Sequence, residues 1–129
     1  MEFPGDLRYT SRDEWLRLEG EDAVIGITDF AQREIGPIEG LDLPEVGKEL
    51  DRGDHLAVAR STGDDWEITM PVRGRILARN DALTSTPALA NSAPYGDGWL
   101  IRIRVRDQRE LDALMDARAY QDGLPPDAR

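Results

Sequence analysis

The chain has 129 residues, with 16 basic against 26 acidic side chains and a formal net charge of −10. That length suits one domain with a continuous core, expected here to span 1–129 with its core at about 9–120, and that charge opposes nucleic acid, whose backbone needs clustered cations. The longest apolar runs, such as Ala57 to Ala59, are far below a membrane span, and Met1 to Trp15 has no hydrophobic signal core, so neither nucleic acid nor membrane is an expected partner and the expected location is cytoplasmic.

Trp15 to Leu18 alternates apolar and polar residues, Glu19 to Asp22 supplies turn chemistry, and Ala23 to Ile27 is a second apolar run. Together these predict a β-hairpin. Thr28 or Asp29 is placed to cap a short helix through Phe30, Ala31 and Ile35, which Gly36 and Pro37 end. Ile38 to Leu43 reads as a strand closed by a turn at Pro44 and Gly47, and three short strands follow at Leu56 to Ser61, Trp66 to Met70 and Val72 to Ala78. Such dense, short strands predict an all-β sandwich or barrel core.

Thr86 and Pro87 predict a short helix to Asn91, with Pro94 to Gly98 as a loop. Trp99 to Val105 is the clearest strand: Ile101, Ile103 and Val105 share one face, and Arg102 and Arg104 the other, the latter face expected to be wet and balanced by nearby acids. Asp107 then caps a predicted final helix carrying Leu111, Leu114 and Met115, and residues 122–129 are expected to fray.

Several blocks carry a resemblance to a known family. Tyr9-Thr10, Glu14-Trp15-Leu16, Gly26 to Gln32, Leu43 to Gly47, Pro71-Val72 with Gly74, Pro94 to Leu100 and Ala119-Tyr120 follow the order and spacing of the glycine cleavage H protein. The chain resembles that family from about Tyr9 to Tyr120. The resemblance implies a mainly β fold with short helices, a lipoyl/biotinyl-domain-like β-sandwich or barrel-sandwich hybrid. It also implies a hairpin whose tip, in a segment like E-S-V-K-A, carries lipoate on a lysine that visits decarboxylase, transferase and dehydrogenase partners.

The aligned segment here is Arg60, Ser61, Thr62, Gly63, Asp64, Asp65 and Trp66, which puts Gly63 at the lipoyl-lysine position. Lipoylation is an amide bond to a side-chain amine, and glycine has no side chain. Lipoate is therefore not an expected cofactor. Lys48 is the sole lysine and falls in the turn region before the hairpin, where it reads as a solvated surface charge. Arg60 stands where the family has an acid, Asp13 where it often has histidine, and Asp64, Asp65 and Trp66 replace small residues. Gly63 itself is expected to serve the turn through its tolerance of positive φ.

The chemistry-bearing residues are few. There is no cysteine and only one histidine, so no thiolate, disulfide, HExxH or paired-histidine motif exists. His55 beside Asp54 has the pKa range of a general base, but it lies at a turn. Arg60, Arg73 and Arg75 allow an anion site or ordinary solvated strand faces; Asp64, Asp65 and Glu67 allow a divalent cation or a simple turn; Trp66 and Trp99 allow a ligand cleft or plain packing. Two functions remain open. One is an H-like domain without lipoate that binds a protein partner or small-molecule ligand, such as a glycine-cleavage or lipoate-related enzyme. The other is a small-molecule enzyme working in the vacated arm cleft, with residues 60–66 on its rim.

Overall fold

The computed structural model describes residues 1–129. A short strand at Arg8–Tyr9 (β1) leads into the hairpin of Glu14–Glu19 (β2) and Asp22–Ile27 (β3). Gly20 turns that hairpin at φ 65°, a value that costs glycine little. The helix Asp29–Ile35 (α1) starts where predicted, with the Thr28 hydroxyl accepting from the Ala31 N–H at 3.1 Å and Gly36 closing it at φ 79°. Next come Ile38–Asp42 (β4), Glu49–Leu50 (β5), His55–Ser61 (β6), Asp65–Thr69 (β7) and Gly74–Arg79 (β8). Short helices at Ala82–Ser85 (α2) and Leu89–Ser92 (α3) precede Ile101–Val105 (β9) and Ala117–Asp122 (α4).

The strands form two antiparallel sheets, one in the order β1-β2-β3-β9-β8-β5 and one in the order β4-β6-β7. Late strand β9 thus lies inside the larger sheet, paired with β3 on one side and β8 on the other. Its alternation is as predicted. Ile101, Ile103 and Val105 are buried, while Arg102 and Arg104 reach Glu19 and Asp22 at 2.6 and 2.7 Å on the wet face. Leu16, Ile25 and Ile103 of the large sheet meet Ala57, Ala59 and Ile68 of the small one in a core of 21 residues. This is the face-to-face packing that alternating strands require.

A second cluster covers part of the outer face of the large sheet. Tyr9, Trp15 and Val24 pack there against Tyr120, Leu124 and Ala128. Trp15 lies across from Gly26 in the β2–β3 register, and its indole fills the space a Cβ on Gly26 would need. Tyr120 stacks on Tyr9 at 4.8 Å between ring centroids, donates a hydrogen bond to Asp13 at 2.9 Å and accepts one from Thr28 at 2.7 Å.

That cluster corrects the reading of the C-terminus. Residues 122–129 do not fray: Leu124 and Ala128 are buried, and the Arg129 guanidinium returns to the Leu124 and Asp122 carbonyls. The single helix expected after Asp107 is two pieces, a 3-10 turn at Gln108–Ala113 and α4 capped by Asp116. Met115 separates them because its backbone is taken by Tyr9, with bonds of 2.8 Å in both directions, and an extended bridge residue cannot also be helical. The helix expected from Pro87 starts two residues later, and α2 was not predicted. Asn80 anchors the α2 region, donating to the Asp97 and Trp99 carbonyls at 2.7 and 2.8 Å.

Candidate functional site

Two features stand apart from this scaffold, at opposite ends of the β6–β7 hairpin. The first is its tip. Arg60 pairs with Asp65 across the hairpin, and Ala59 with Trp66. The Ser61 hydroxyl donates to the Asp64 carbonyl at 2.7 Å, and Thr62 donates to Glu39 at 2.7 Å. The structure therefore brings residues 60–66 together around one turn. Thr62 to Asp65 are exposed. Trp66 is half-buried against the main core, and the Arg60 guanidinium lies over Gly40, 3.5 Å from Asp42.

Gly63 is not among the glycines with positive φ. Nothing lies within 4 Å of where its Cβ would stand. The turn thus does not need the conformational freedom expected of this glycine, and the position is open to any side chain.

The second feature is a cleft of about 330 Å3 at the base of the hairpin, where β7 runs into Met70 and Pro71. Its lining comes from four stretches: the turn entering β2, Arg52 and Gly53 before β6, Thr69 to Pro71, and the segment from Glu110 to Met115. None of residues 60–66 contributes. Five strand residues separate tip from base, roughly 17 Å at the rise of an extended chain.

Glu14 defines this cleft. It is only 2% exposed, yet it lines the cavity. Being on the same strand face as Leu16, it points between the sheets, at the end of β2 where they part. One carboxylate oxygen accepts from the Thr10 hydroxyl at 2.8 Å; the other accepts from the Thr69 N–H at 3.1 Å and the Thr69 hydroxyl at 3.3 Å. Glu14 therefore ties the large sheet to the small one. Burial pushes its carboxyl above the usual carboxylate range, against the pull of those bonds and of nearby Arg12.

The rim carries charge of both signs. Arg12 and Arg52 are exposed there, and neither guanidinium forms a salt bridge. Glu110 stands on another wall, one oxygen accepting from the Arg73 N–H at 2.7 Å. Met70, Pro71, Leu114 and Met115 make the walls apolar. A buried carboxylate and two exposed guanidinia lining one cleft with apolar side chains suit a small ligand having polar ends and a hydrocarbon body.

The other singled-out residues are dispersed. Arg73 pairs with Asp51 on the large-sheet side while Arg60 pairs with Asp42 beside the small sheet, so Arg60, Arg73 and Arg75 do not share a site. His55 meets Glu67 at 3.4 Å with both side chains more than half exposed. No three His, Asp or Glu side chains converge on a metal-sized point. Trp99 packs at the edge of the second cluster. Lys48 is exposed on the loop entering β5, not in the hairpin.

An antiparallel two-sheet sandwich with a projecting hairpin defines the class, a domain of the lipoyl/biotinyl carrier type. Comparison with known proteins narrows it. The model of the glycine cleavage H-protein family matches residues 7–126. The glycine cleavage system H protein of Thermus thermophilus is 42% identical over 128 residues, covering 99% of this chain and 100% of that protein. That of Aeromonas hydrophila is 48% identical over 120 residues, covering 92% and 93%. The crystal structure of the Mycobacterium marinum glycine cleavage system H protein superposes with a TM-score of 0.81 at 31% identity, covering 94% of this chain and 99% of the other. The chain belongs to the glycine cleavage H-protein family.

Proposed function

We propose that this chain is an H-protein domain that bears no lipoyl group on its hairpin and works by non-covalent binding. One observation carries the reading: the exposed tip between β6 and β7 presents Gly63, and the only lysine of the chain, Lys48, lies on a different loop. A lipoyl amide needs a primary amine, and a guanidinium is too weak a nucleophile to replace it. The partners that fit are enzymes of glycine cleavage or lipoate handling, docking on the surface that the family fold retains.

Co-expression with a lipoate ligase followed by intact-mass measurement tests the covalent half. The wild type is expected to stay unmodified and Gly63→Lys to gain one lipoyl group, since the tip has room for the side chain. A lipoyl adduct on the wild type would overturn the proposal. Titration against the purified decarboxylase, aminomethyltransferase and dehydrogenase tests the other half, and association with none of them would remove the partner reading.

The Glu14 cleft supports a second reading, in which the same domain binds or transforms a small molecule. A buried carboxyl held above its usual range inside an accessible cavity is the kind of group that binds cations or moves protons. In this reading the ligand sits at the base of the hairpin, and residues 60–66 belong to a protein-facing surface.

A further inference from the structure

Beyond the binding role proposed above, we infer that the outer face of β8 and β9 docks an acidic, extended segment of a partner protein. The inner face of the large sheet, with Ile76 and Ile103, packs on the small sheet, and the second cluster covers the outer face only around Tyr9, Trp15 and Val24. Over β8 and β9 nothing is laid on it: Arg73, Arg75 and Arg106 are exposed, and Arg102 and Arg104 half-buried. Residues 73–79 and 101–106 hold no acid, while arginine stands at 73, 75, 102, 104 and 106. Arg75 lies directly across from Arg104 in the ladder, and Arg73 across from Arg106, whose N–H bonds the Arg73 carbonyl at 3.0 Å. Four arginines thus occupy a two-by-two block. Like charges directly opposite in a sheet are destabilising, so folding by itself does not favour this block.

Acids stand only at the margins of the block. Asp51 takes Arg73 at 3.5 Å, Glu49 takes Arg106, Asp22 takes Arg104 at 2.7 Å and Glu19 takes Arg102 at 2.6 Å. Glu49 is opposite Arg75 in register, yet its carboxylate goes to Arg106, and Arg75 forms no salt bridge. A guanidinium has five N–H donors, so the marginal acids leave donors free for incoming carboxylates. The rest of a chain of net charge −10 repels an acidic partner, which makes this face the place where one can settle. Spacing selects the form of that partner. Alternate residues of a strand repeat at about 6.6–6.8 Å, the interval between Arg102, Arg104 and Arg106 and between Arg73 and Arg75. An extended segment lying along the strands repeats its side chains at the same interval, so carboxylates at every second residue meet arginines in succession. The β6–β7 hairpin belongs to the small sheet, behind the opposite face. A partner held here leaves the tip and the Glu14 cleft open, whether or not the tip carries lipoate.

The probe is a fluorescein-labelled peptide of alternating Glu and Thr, about twelve residues long, enough to span these strands. It is titrated into the full chain at low salt while amide resonances are followed. Binding is expected to move the Arg75, Arg102 and Arg104 amides, to leave Thr62 to Asp65 and Thr69 still, and to weaken about tenfold or more when salt is raised to about 0.3 M. Arg75→Gln is expected to lower affinity about threefold, the scale of one exposed ion pair, without lowering Tm, since it breaks no salt bridge and relieves the repulsion with Arg104. Arg75→Glu is expected to lower affinity about tenfold or more, because repulsion replaces attraction. Arg33→Gln, at an exposed position of α1, makes the same change in net charge as Arg75→Gln and is expected to have no effect. An equal loss in Arg33→Gln would reduce the effect to overall charge and overturn the site, as would silence of the β8 and β9 amides in folded protein. Tripolyphosphate displacing the peptide at equal concentration would reassign the face to phosphate anions, and Arg75-dependent dimers in sedimentation velocity would reassign it to a second copy; either overturns the partner segment. A lipoyl adduct on the wild type, or no association with the glycine-cleavage enzymes, would remove the earlier proposal and leave this one standing.

Discussion

Glu14 is the residue whose burial most sets charge against stability. Its folded-state pKa is raised, chiefly by burial, so its favourable contribution is full only below the unfolded value and is lost as pH rises through the folded one. At neutral pH the ionised form is therefore a cost to folding. Glu14→Gln is expected to raise Tm by a few degrees at pH 7, with the gain vanishing near pH 4; a variant less stable than wild type at pH 7 would show that the Thr10 and Thr69 bonds outweigh the desolvation. Two glycines make a contrasting pair. A Cβ on Gly26 would meet the buried Trp15 indole at 2.5 Å, and Trp15 is held by its own bond to the Pro94 carbonyl, so Gly26→Ala is expected to cost about 2–3 kcal/mol by overpacking. The three atoms nearest a Cβ on Gly40 all belong to the end of the flexible Arg60 side chain, which can shift aside, and Gly40→Ala should stay within about 0.5 kcal/mol. Urea titration measures both.

At the scale of elements, α4 acts as a clasp on the first hairpin. Tyr120 reaches from it to Asp13 and Thr28, and Asp13 is held at φ 70°, a region that non-glycine residues occupy only when their surroundings enforce it. Removing the hydroxyl leaves the half-buried Asp13 carboxylate without its donor. Tyr120→Phe is expected to cost about 1–2 kcal/mol and to speed hydrogen exchange at Tyr9 and Met115, whose bridge lies beneath the clasp; unchanged exchange there would show that stacking alone holds α4. The β6–β7 hairpin behaves differently. Its tip makes few contacts and Gly63 none that a Cβ would disturb, so Gly63→Lys is expected to leave Tm unchanged within about a degree while opening the site to a ligase. The strand part was legible beforehand from the alternation in β2 and β9 and from the turn residues that punctuate β6 and β7. The split after Ala113 was not, because Leu111, Leu114 and Met115 repeat at helical spacing and only the distant Tyr9 backbone draws Met115 into a bridge.

For the whole molecule, two sets of carboxylates act in opposite directions. Asp13 and Glu14 are held high by burial; Glu19, Glu49 and Asp107 are held low by Arg102, Arg106 and Arg109 in turn. The first set stabilises the fold as pH falls toward the carboxylate range, and the second loses its contribution only below that range. The second set lies at the surface, where its ion pairs are screened by salt. Protonation also relieves self-repulsion in a chain of net charge −10. Thermal stability is therefore expected to be higher at pH 5 than at pH 7.5 and to fall below about pH 4, with the 5-to-7.5 difference reduced in Glu14→Gln. A flat profile between pH 5 and 7.5 would contradict this balance.

The amino-acid order alone determined the β-sandwich class, the resemblance from Tyr9 to Tyr120, the wet and dry faces of β9 and the lack of an amine at the hairpin tip. Those follow from residue identity and short-range periodicity, which a chain carries locally. The cleft did not follow. Glu14 was visible only as part of a family block, although an acid at an inward position beside Leu16 was a signal of a buried carboxyl. Its meeting with Thr69, 55 positions away, and the gathering of Arg12, Arg52 and Met115 around it depend on how the two sheets stack and part. That is a property of the assembled layers, because side-chain parity sets the face a residue lies on and only packing decides what stands opposite.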